Sequence, residues 1–143
     1  MSEHVRTTRE TVDLLLRTIT EGTRDDVADL YADDVVITSP FVPEEYRVSR
    51  GNAALRARMK SFAEYLDYSA VKNVTVHETT DPQVAIAEFT MVGTLVPTGA
   101  AFELASINVM RVVDGLITES RDHSDGLAAA KLMESIKAAG AAG

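Results

Sequence analysis

The chain has 143 residues, a net charge of −8 and no cysteine. This length suits one domain that buries its core without disulfides. The acidic balance disfavours contact with nucleic acid, and no apolar run reaches the roughly 20 residues of a membrane helix. The first residues lack the apolar segment of a signal peptide. We therefore expect one cytoplasmic domain over residues 1–143 that binds neither nucleic acid nor membranes.

Two helices are predicted near the start of the chain. Apolar residues at helical spacing over Val5–Ile19 predict the first. Thr23 and Asp26 have the spacing of a capping box, which predicts a second helix running to Tyr31 or Asp33.

Two further helices are predicted later in the chain. A third covers residues 52–65, with Arg58 assigned to one of its polar faces. Its apolar face is formed by Leu55, Met59, Phe62 and Leu66. A last helix covers residues 127–136, and the Ala/Gly-rich residues 138–143 are expected to fray.

The remaining segments have the composition of strands. The run VVIT at residues 35–38 predicts a strand, and residues 41–50 are expected to form a loop. From residue 69 to residue 122, β-rich segments alternate with turn residues, which predicts a four-stranded antiparallel meander. Helices followed by such a meander predict an α+β fold with helices on one sheet face. The strand Phe102–Val113 is largely apolar on both faces, so we expect a homodimer through the outer face.

Three segments resemble one family: LYADDVVITSPF, AALRARM after Gly51, and RVVDGLITESRDHSD. They are similar to the nuclear transport factor 2-like superfamily, in particular its SnoaL-like polyketide cyclase branch, over nearly the whole chain. The resemblance implies a curved antiparallel sheet with N-terminal helices packed on its concave face, forming a cone-shaped pocket. It also implies a small apolar ligand, no cofactor, and a place in bacterial antibiotic or other natural-product biosynthesis. This fold carries many chemistries, so the activity depends on the residues of the pocket.

Ketosteroid isomerases resemble the segment that ends at Pro40, and they carry a catalytic aspartate immediately before that proline. Here that position is Ser39, and the position of their oxyanion-hole tyrosine is Leu15. Their second oxyanion donor falls at Asn108, which alone can still donate. Because a lone serine is no base near neutral pH, steroid isomerase activity is not expected.

Limonene epoxide hydrolases use two aspartates bridged by an arginine to activate water. In this chain the positions of the arginine and of one aspartate are Phe89 and Met91. The other aspartate is retained as Asp122. Epoxide hydrolysis by that route is therefore not expected.

Asp122 is the leading candidate for a catalytic acid or base. Alternation along the last strand places Thr118, Ser120 and Asp122 on one face, and the family resemblance makes this the pocket face. An apolar pocket would disfavour the charged form of Asp122 and raise its pKa. The alternative is that Asp122 caps the following helix or pairs with an arginine.

Asn108 is the second catalytic candidate, because an amide on an apolar strand face can orient a substrate carbonyl. The alternative is an amide satisfied by backbone or water. Tyr46 lies in the predicted loop, where it belongs either to a pocket lid or to the solvent-facing surface. The expected substrate-binding residues are Leu15, Ser39, Tyr46, Met59, Phe62, Phe89, Met91, Ser106 and Met110.

Two classes of function remain open. The first is a cofactor-independent cyclase or isomerase in which Asp122 transfers a proton and Asn108 orients the substrate. The second is a non-catalytic protein that holds or carries a biosynthetic intermediate in the same pocket. No metal site is expected, because His4, His77 and His123 lie on different elements without ligand spacing.

Overall fold

The computed structural model describes residues 4–142, and this part of the chain forms four α-helices and a six-stranded sheet. The helices are α1 (Thr8–Glu21), α2 (Arg24–Ala28), α3 (Asn52–Ala63) and α4 (Gly126–Ala142), and a short 3-10 helix covers Glu44–Tyr46. The strands are β1 (Tyr31–Thr38), β2 (Val48–Arg50), β3 (Leu66–Glu78), β4 (Val84–Leu95), β5 (Ala101–Val113) and β6 (Leu116–Ser124). Within residues 4–142, no helix has both the length and the apolar character needed to cross a membrane.

The strands follow the order β2-β1-β6-β5-β4-β3 in one curved sheet. All neighbours are antiparallel except β1 and β6, which are parallel. The predicted α+β fold and the antiparallel meander over β3 to β6 are confirmed. The parallel pair at β1 was not expected, and it arises because β1 precedes the meander and joins its last strand.

Capping residues fix where the first two helices begin. Thr7 and Glu10 form a capping box, so α1 starts at Thr8 and the exposed Val5 lies outside it. The predicted capping box of Thr23 and Asp26 is confirmed, but α2 is much shorter than predicted. It ends at Ala28, whose carbonyl accepts from Asn52 Nδ2 and so is taken from the helical bond to residue 32. The Leu30 carbonyl accepts from the Ile117 amide, which aligns the chain with β6.

Two other boundaries differ from the prediction. Residues 41–50 are not all loop, since they contain the 3-10 helix and β2, whose register pairs Thr38 with Val48. The tail 138–143 is helical as far as Ala142, and Gly143 lies outside the described residues.

The core lies between α1 and the concave face of the sheet. Val12, Leu15 and Leu16 of α1 are buried against β4, β5 and β6. Met110 and Ile117 are fully buried on the sheet side of this contact. Bulges in β3 after Tyr68 and after Lys72 add to the curvature of the sheet.

The outer face of the sheet is not covered by any described helix. Ile107 on β5 is 45% exposed, and the Lys72–Glu103 ion pair and the hydrogen-bonded side chains of His77 and Glu88 are also exposed. Association of two copies through this face stays a prediction.

Gly93 on β4 allows two aromatic side chains to meet at the sheet surface. It pairs with Tyr68 on one side and Phe102 on the other, and these rings lie 6.2 Å apart in an edge contact. A Cβ on Gly93 would lie against the Asp67 carbonyl oxygen and 2.8 Å from the Phe102 ring. The strand needs glycine here because of this close approach.

We expect Gly93→Ala to lower the free energy of unfolding by about 3 kcal/mol, since backbone and ring must both shift. The measurement is urea unfolding followed by circular dichroism. Gly99→Ala is the control, because nothing lies within 4 Å of its Cβ position and only the positive φ of 73° is strained, which costs about 1 kcal/mol. Equal losses in the two variants would contradict this account.

Candidate functional site

A cavity of about 280 Å³ lies between the concave face of the sheet and the four helices. Its wall is predominantly apolar and aromatic, which is typical of small-molecule sites. A larger depression of about 680 Å³ runs along α1 and β3, but it is open and bordered by charged side chains such as Glu10 and Arg17. The apolar cavity beneath the helices is therefore the candidate site.

Nine of the eleven residues predicted for the site line this cavity: Leu15, Ser39, Tyr46, Met59, Phe62, Phe89, Met91, Asn108 and Asp122. Met110 does not, because it is fully buried under α1. Ser106 is also absent from the wall, and its hydroxyl instead donates a hydrogen bond to the side chain of Asn108.

Asp122 and Asn108 are direct cross-strand partners on β6 and β5. Side chains at such positions are about 4.5–5.5 Å apart at Cβ, so the two polar groups meet on the concave face. The Ser106 hydroxyl donates to Asn108 Oδ1 at 2.6 Å, and the Ser120 hydroxyl donates to Asp122 Oδ1. The first bond leaves the Asn108 Nδ2 amide group as a donor for a ligand.

Burial raises the pKa of Asp122 to about 6, against the pull of the Ser120 hydrogen bond and the charges of Arg58 and His123. Asp122 keeps some accessible surface, as expected of a side chain that lines a cavity. Within the described part of the chain no cationic nitrogen lies within 4.0 Å of it. The cap of α4 is Asp125, whose carboxylate accepts from the amides of Leu127 and Ala128. Neither structural alternative for Asp122 is therefore present.

Strict alternation in β6 fails at one position. Arg111 pairs with Glu119 while Val112 pairs with Ile117, so Thr118 is an extra residue in a bulge. Ser120 and Asp122 share the inner face, but Ile117 rather than Thr118 is the next buried residue. The prediction that Thr118 lies on the pocket face was wrong for this reason.

Tyr31 is a cavity residue that the sequence analysis missed. Burial, followed by the negative charge of Asp122, raises its pKa well above its ordinary value, so the phenol stays protonated and can donate. The residue was assigned to the end of a helix, whereas it begins β1. Strand alternation alone could not place it, because the register of β1 with β6 shifts between Tyr31 and Val36 and Asp33 is exposed.

Arg58 also lines the cavity, although the sequence analysis placed it on a polar face. Its Nη2 donates to the Tyr46 carbonyl at 3.2 Å, and its Cζ lies 5.6 Å from the Tyr46 ring centroid and 5.8 Å from that of Phe62. Burial lowers its pKa, and the charge of Asp122 opposes that shift. The signal was present, because Leu55, Arg58 and Phe62 follow each other at helical spacing on one side of α3.

We expect Asp122 to titrate with a pKa of about 6 in a carbon-detected NMR experiment, and Asp122→Asn assigns the signal. Ser120→Ala should raise that pKa further, because it removes a hydrogen bond that favours the carboxylate. A pKa near or below 4 in the wild type would show a solvated or paired carboxylate.

The same shift predicts a pH-dependent stability. Because the folded pKa of about 6 lies above the ordinary value of 3.8 for an aspartate, the folded state binds the proton more tightly, and stability is lost as pH rises between these values. Asp122→Asn removes this loss, so it should stabilise the protein by about 2–3 kcal/mol more at pH 7.5 than at pH 4 relative to wild type. Urea unfolding at both pH values measures the difference. Asp34→Asn on exposed β1 is the control, and a difference of the opposite sign would exclude a destabilised carboxylate.

Comparison with known proteins places this geometry in a family. A Bacillus subtilis protein, YesE, is 28% identical over 96 residues, which span 66% of this chain and 65% of that protein, so the match covers just under two thirds of the relative. A crystal structure of a Bacillus subtilis protein superposes with a TM-score of 0.80 at 24% identity, over 89% of this chain and 92% of the other. The enzyme SalBIII superposes with a TM-score of 0.70 at 17% identity, over 85% of this chain and 92% of its own.

The family model described as the SnoaL-like domain matches residues 12–120. The match covers most of the chain and ends two residues before Asp122. It includes Tyr31, Arg58 and Asn108, and it spans α1 to most of β6. The chain belongs to the SnoaL-like family within the nuclear transport factor 2-like superfamily.

Proposed function

We propose that the protein is a cofactor-independent cyclase or isomerase that acts on a small polyketide-like intermediate in bacterial natural-product biosynthesis. The observation that carries the proposal is the carboxyl of Asp122, with a pKa of about 6, which lines a largely apolar cavity together with the hydrogen-bond donors Tyr31 and Asn108. A group with this pKa is largely ionised at neutral pH and still regains its proton readily, as general acid–base catalysis requires.

The chemistry that fits these residues is proton transfer next to a carbonyl. The Asp122 carboxylate takes a proton from the carbon beside a ligand carbonyl, and the electron pair of that C–H bond forms an enolate. Tyr31 and Asn108 donate hydrogen bonds to the enolate oxygen, where negative charge develops. In a cyclase the enolate carbon then bonds to a second carbonyl carbon, and Asp122 returns the proton to the resulting alkoxide. In an isomerase Asp122 returns the proton to another carbon of the same system.

The size of the cavity limits the substrate. A cavity of about 150 Å³ holds one benzene molecule, so 280 Å³ leaves room for two fused rings or for one ring with a short chain. The fold likeness to SalBIII, an epoxide hydrolase/cyclase-like enzyme in pyran ring formation of the polyether salinomycin, supports ring closure as the reaction class.

A non-catalytic role in holding an intermediate is the second candidate. It is favoured by the three methionines of the wall, Met59, Met91 and Met133, which give an adaptable apolar surface without chemistry of its own. The two functions differ in whether a bound ketone exchanges protons with Asp122.

The test is deuterium uptake by 1-tetralone, a bicyclic ketone of suitable size, followed by proton NMR in D₂O. The wild type should accelerate exchange at the carbon next to the carbonyl. Asp122→Asn should lower the acceleration about a hundredfold or more, and Tyr31→Phe about tenfold or more.

Arg121→Gln is the matched control, because Arg121 is the exposed neighbour of Asp122 on β6. Binding of 1-tetralone is followed separately through the methyl signals of Met59 and Met91. If the ketone binds and exchange does not depend on Asp122, the catalytic proposal fails and the binding role is favoured.

A further inference from the structure

Two arginines, Arg24 and Arg58, belong to the wall of the cavity. Arg9, Arg56 and Arg111 each have an aspartate within 4.0 Å. In the part of the chain that the structure describes, Arg24 and Arg58 have no such carboxylate. The cations without an acidic partner therefore include the two that border the cavity.

Both guanidinium groups are held in place by neutral contacts. Arg58 donates to the Tyr46 carbonyl at 3.2 Å, and Arg24 donates to the Leu66 carbonyl at 2.5 Å. The Arg24 Cζ lies 4.8 Å from the centroid of the Tyr68 ring, and the Arg58 Cζ lies 5.6 Å from that of Tyr46. Both arginines therefore line the cavity with their guanidinium groups held by a backbone carbonyl and an aromatic ring.

Most N–H groups of these arginines are still unused. Each guanidinium has five donors, and one recorded bond satisfies only one of them. Among the described residues, Arg6 Nε is the only buried side-chain nitrogen or oxygen that lacks a hydrogen-bond partner. The unbonded nitrogens of Arg24 and Arg58 are therefore accessible rather than buried against other atoms. A fixed, planar guanidinium with free donors suits bidentate binding of a carboxylate.

The charges of the wall point the same way. Its charged side chains are Arg24, Arg58 and Asp122, so two cations face one acid. Burying a cation without a counter-charge is costly, and an anionic ligand would remove that cost. Arg58 is in addition half-buried, so its environment screens an incoming charge less than water does.

We propose that the ligand of this cavity is a small carboxylic acid, whose carboxylate is bound by Arg58 with Arg24 as a second contact. Its apolar body then lies across Met59 and Met91 toward Asp122. This inference rests on the proposed function in using the same cavity, and it adds the charge class of the substrate.

The test compares 2-naphthoate with 2-naphthamide, which has nearly the same shape and no charge. Both are titrated at pH 7.5 into protein with labelled methionine methyl groups, so that Met59, Met91 and Met133 report binding inside the cavity. The wild type should bind the naphthoate about tenfold more tightly or better, as expected of a charge-assisted pair.

Arg58→Gln should weaken naphthoate binding about ten- to a hundredfold and leave naphthamide binding within about twofold. Naphthamide binding also shows that the variant is folded. Arg58→Lys should recover only part of the affinity, because the lysine ammonium keeps the positive charge but lacks the paired N–H donors that bind a carboxylate in a bidentate way. Arg121→Gln, which removes an exposed positive charge from the same region, should leave both affinities unchanged.

Equal affinity of the wild type for the two probes, or unchanged naphthoate binding in Arg58→Gln, would overturn the carboxylate proposal and leave the small-molecule cavity in place. Failure of both probes to shift the methionine signals would overturn it together with the ligand-binding role. A naphthoate preference that depends on Arg58 supports the inference even if deuterium exchange fails, because exchange tests Asp122 and not Arg58.

Discussion

A mismatch in length between the main helix and the sheet determines this structure. The 14 residues of α1 span about 21 Å, whereas the 13 residues of β5 span about 43 Å. The helix therefore covers about half of the concave face, even where it lies along a strand. The uncovered half must be closed by side chains from α3, α4 and the segment before β2, which meet over the sheet and leave a cavity between them.

The inner face of β5 and β6 changes from apolar to polar side chains beyond the part that α1 covers. Met110, Val112 and Ile117 are buried under α1, as an ordinary core requires. Asn108 and Asp122 follow in the direction of the cavity, each with a serine hydroxyl directed to its side chain. A polar pair on an otherwise apolar face lowers stability unless it is satisfied, and here the protein satisfies only one acceptor of each. The remaining groups are left for a ligand, and this is the usual exchange of stability for activity at a site.

Local periodicity was sufficient for the four helices and the meander, whereas the 3-10 helix and β2 were missed. Most of the cavity residues were predicted from the family resemblance together with strand alternation. Asp122 was found through the family resemblance, and Asn108 also because its amide interrupts an apolar strand face. Tyr31 and Arg58 were missed for a shared reason: a tyrosine and an arginine are compatible with exposed positions. The helical spacing of Arg58 with Leu55 and Phe62 was a signal in the sequence, but an arginine at such a position is usually assigned to the exposed side of a helix. The bulge at Thr118 was equally invisible, because no residue type marks an extra residue in a strand.

Arg58 and Asp122 form a coupled pair even though they do not touch. The positive charge of Arg58 lowers the pKa of Asp122, and burial raises it to the net value of about 6. A ligand carboxylate that pairs with Arg58 would cancel the first effect and leave the second, so the pKa of Asp122 would rise further toward neutrality. The protonated donor of Tyr31 is unaffected by this change, because its own pKa is raised as well. Binding of the substrate carboxylate would therefore bring the pKa of Asp122 closer to neutral pH, where a general acid and base works best. Arg58 would then contribute both to substrate recognition and to the pKa of the catalytic carboxyl.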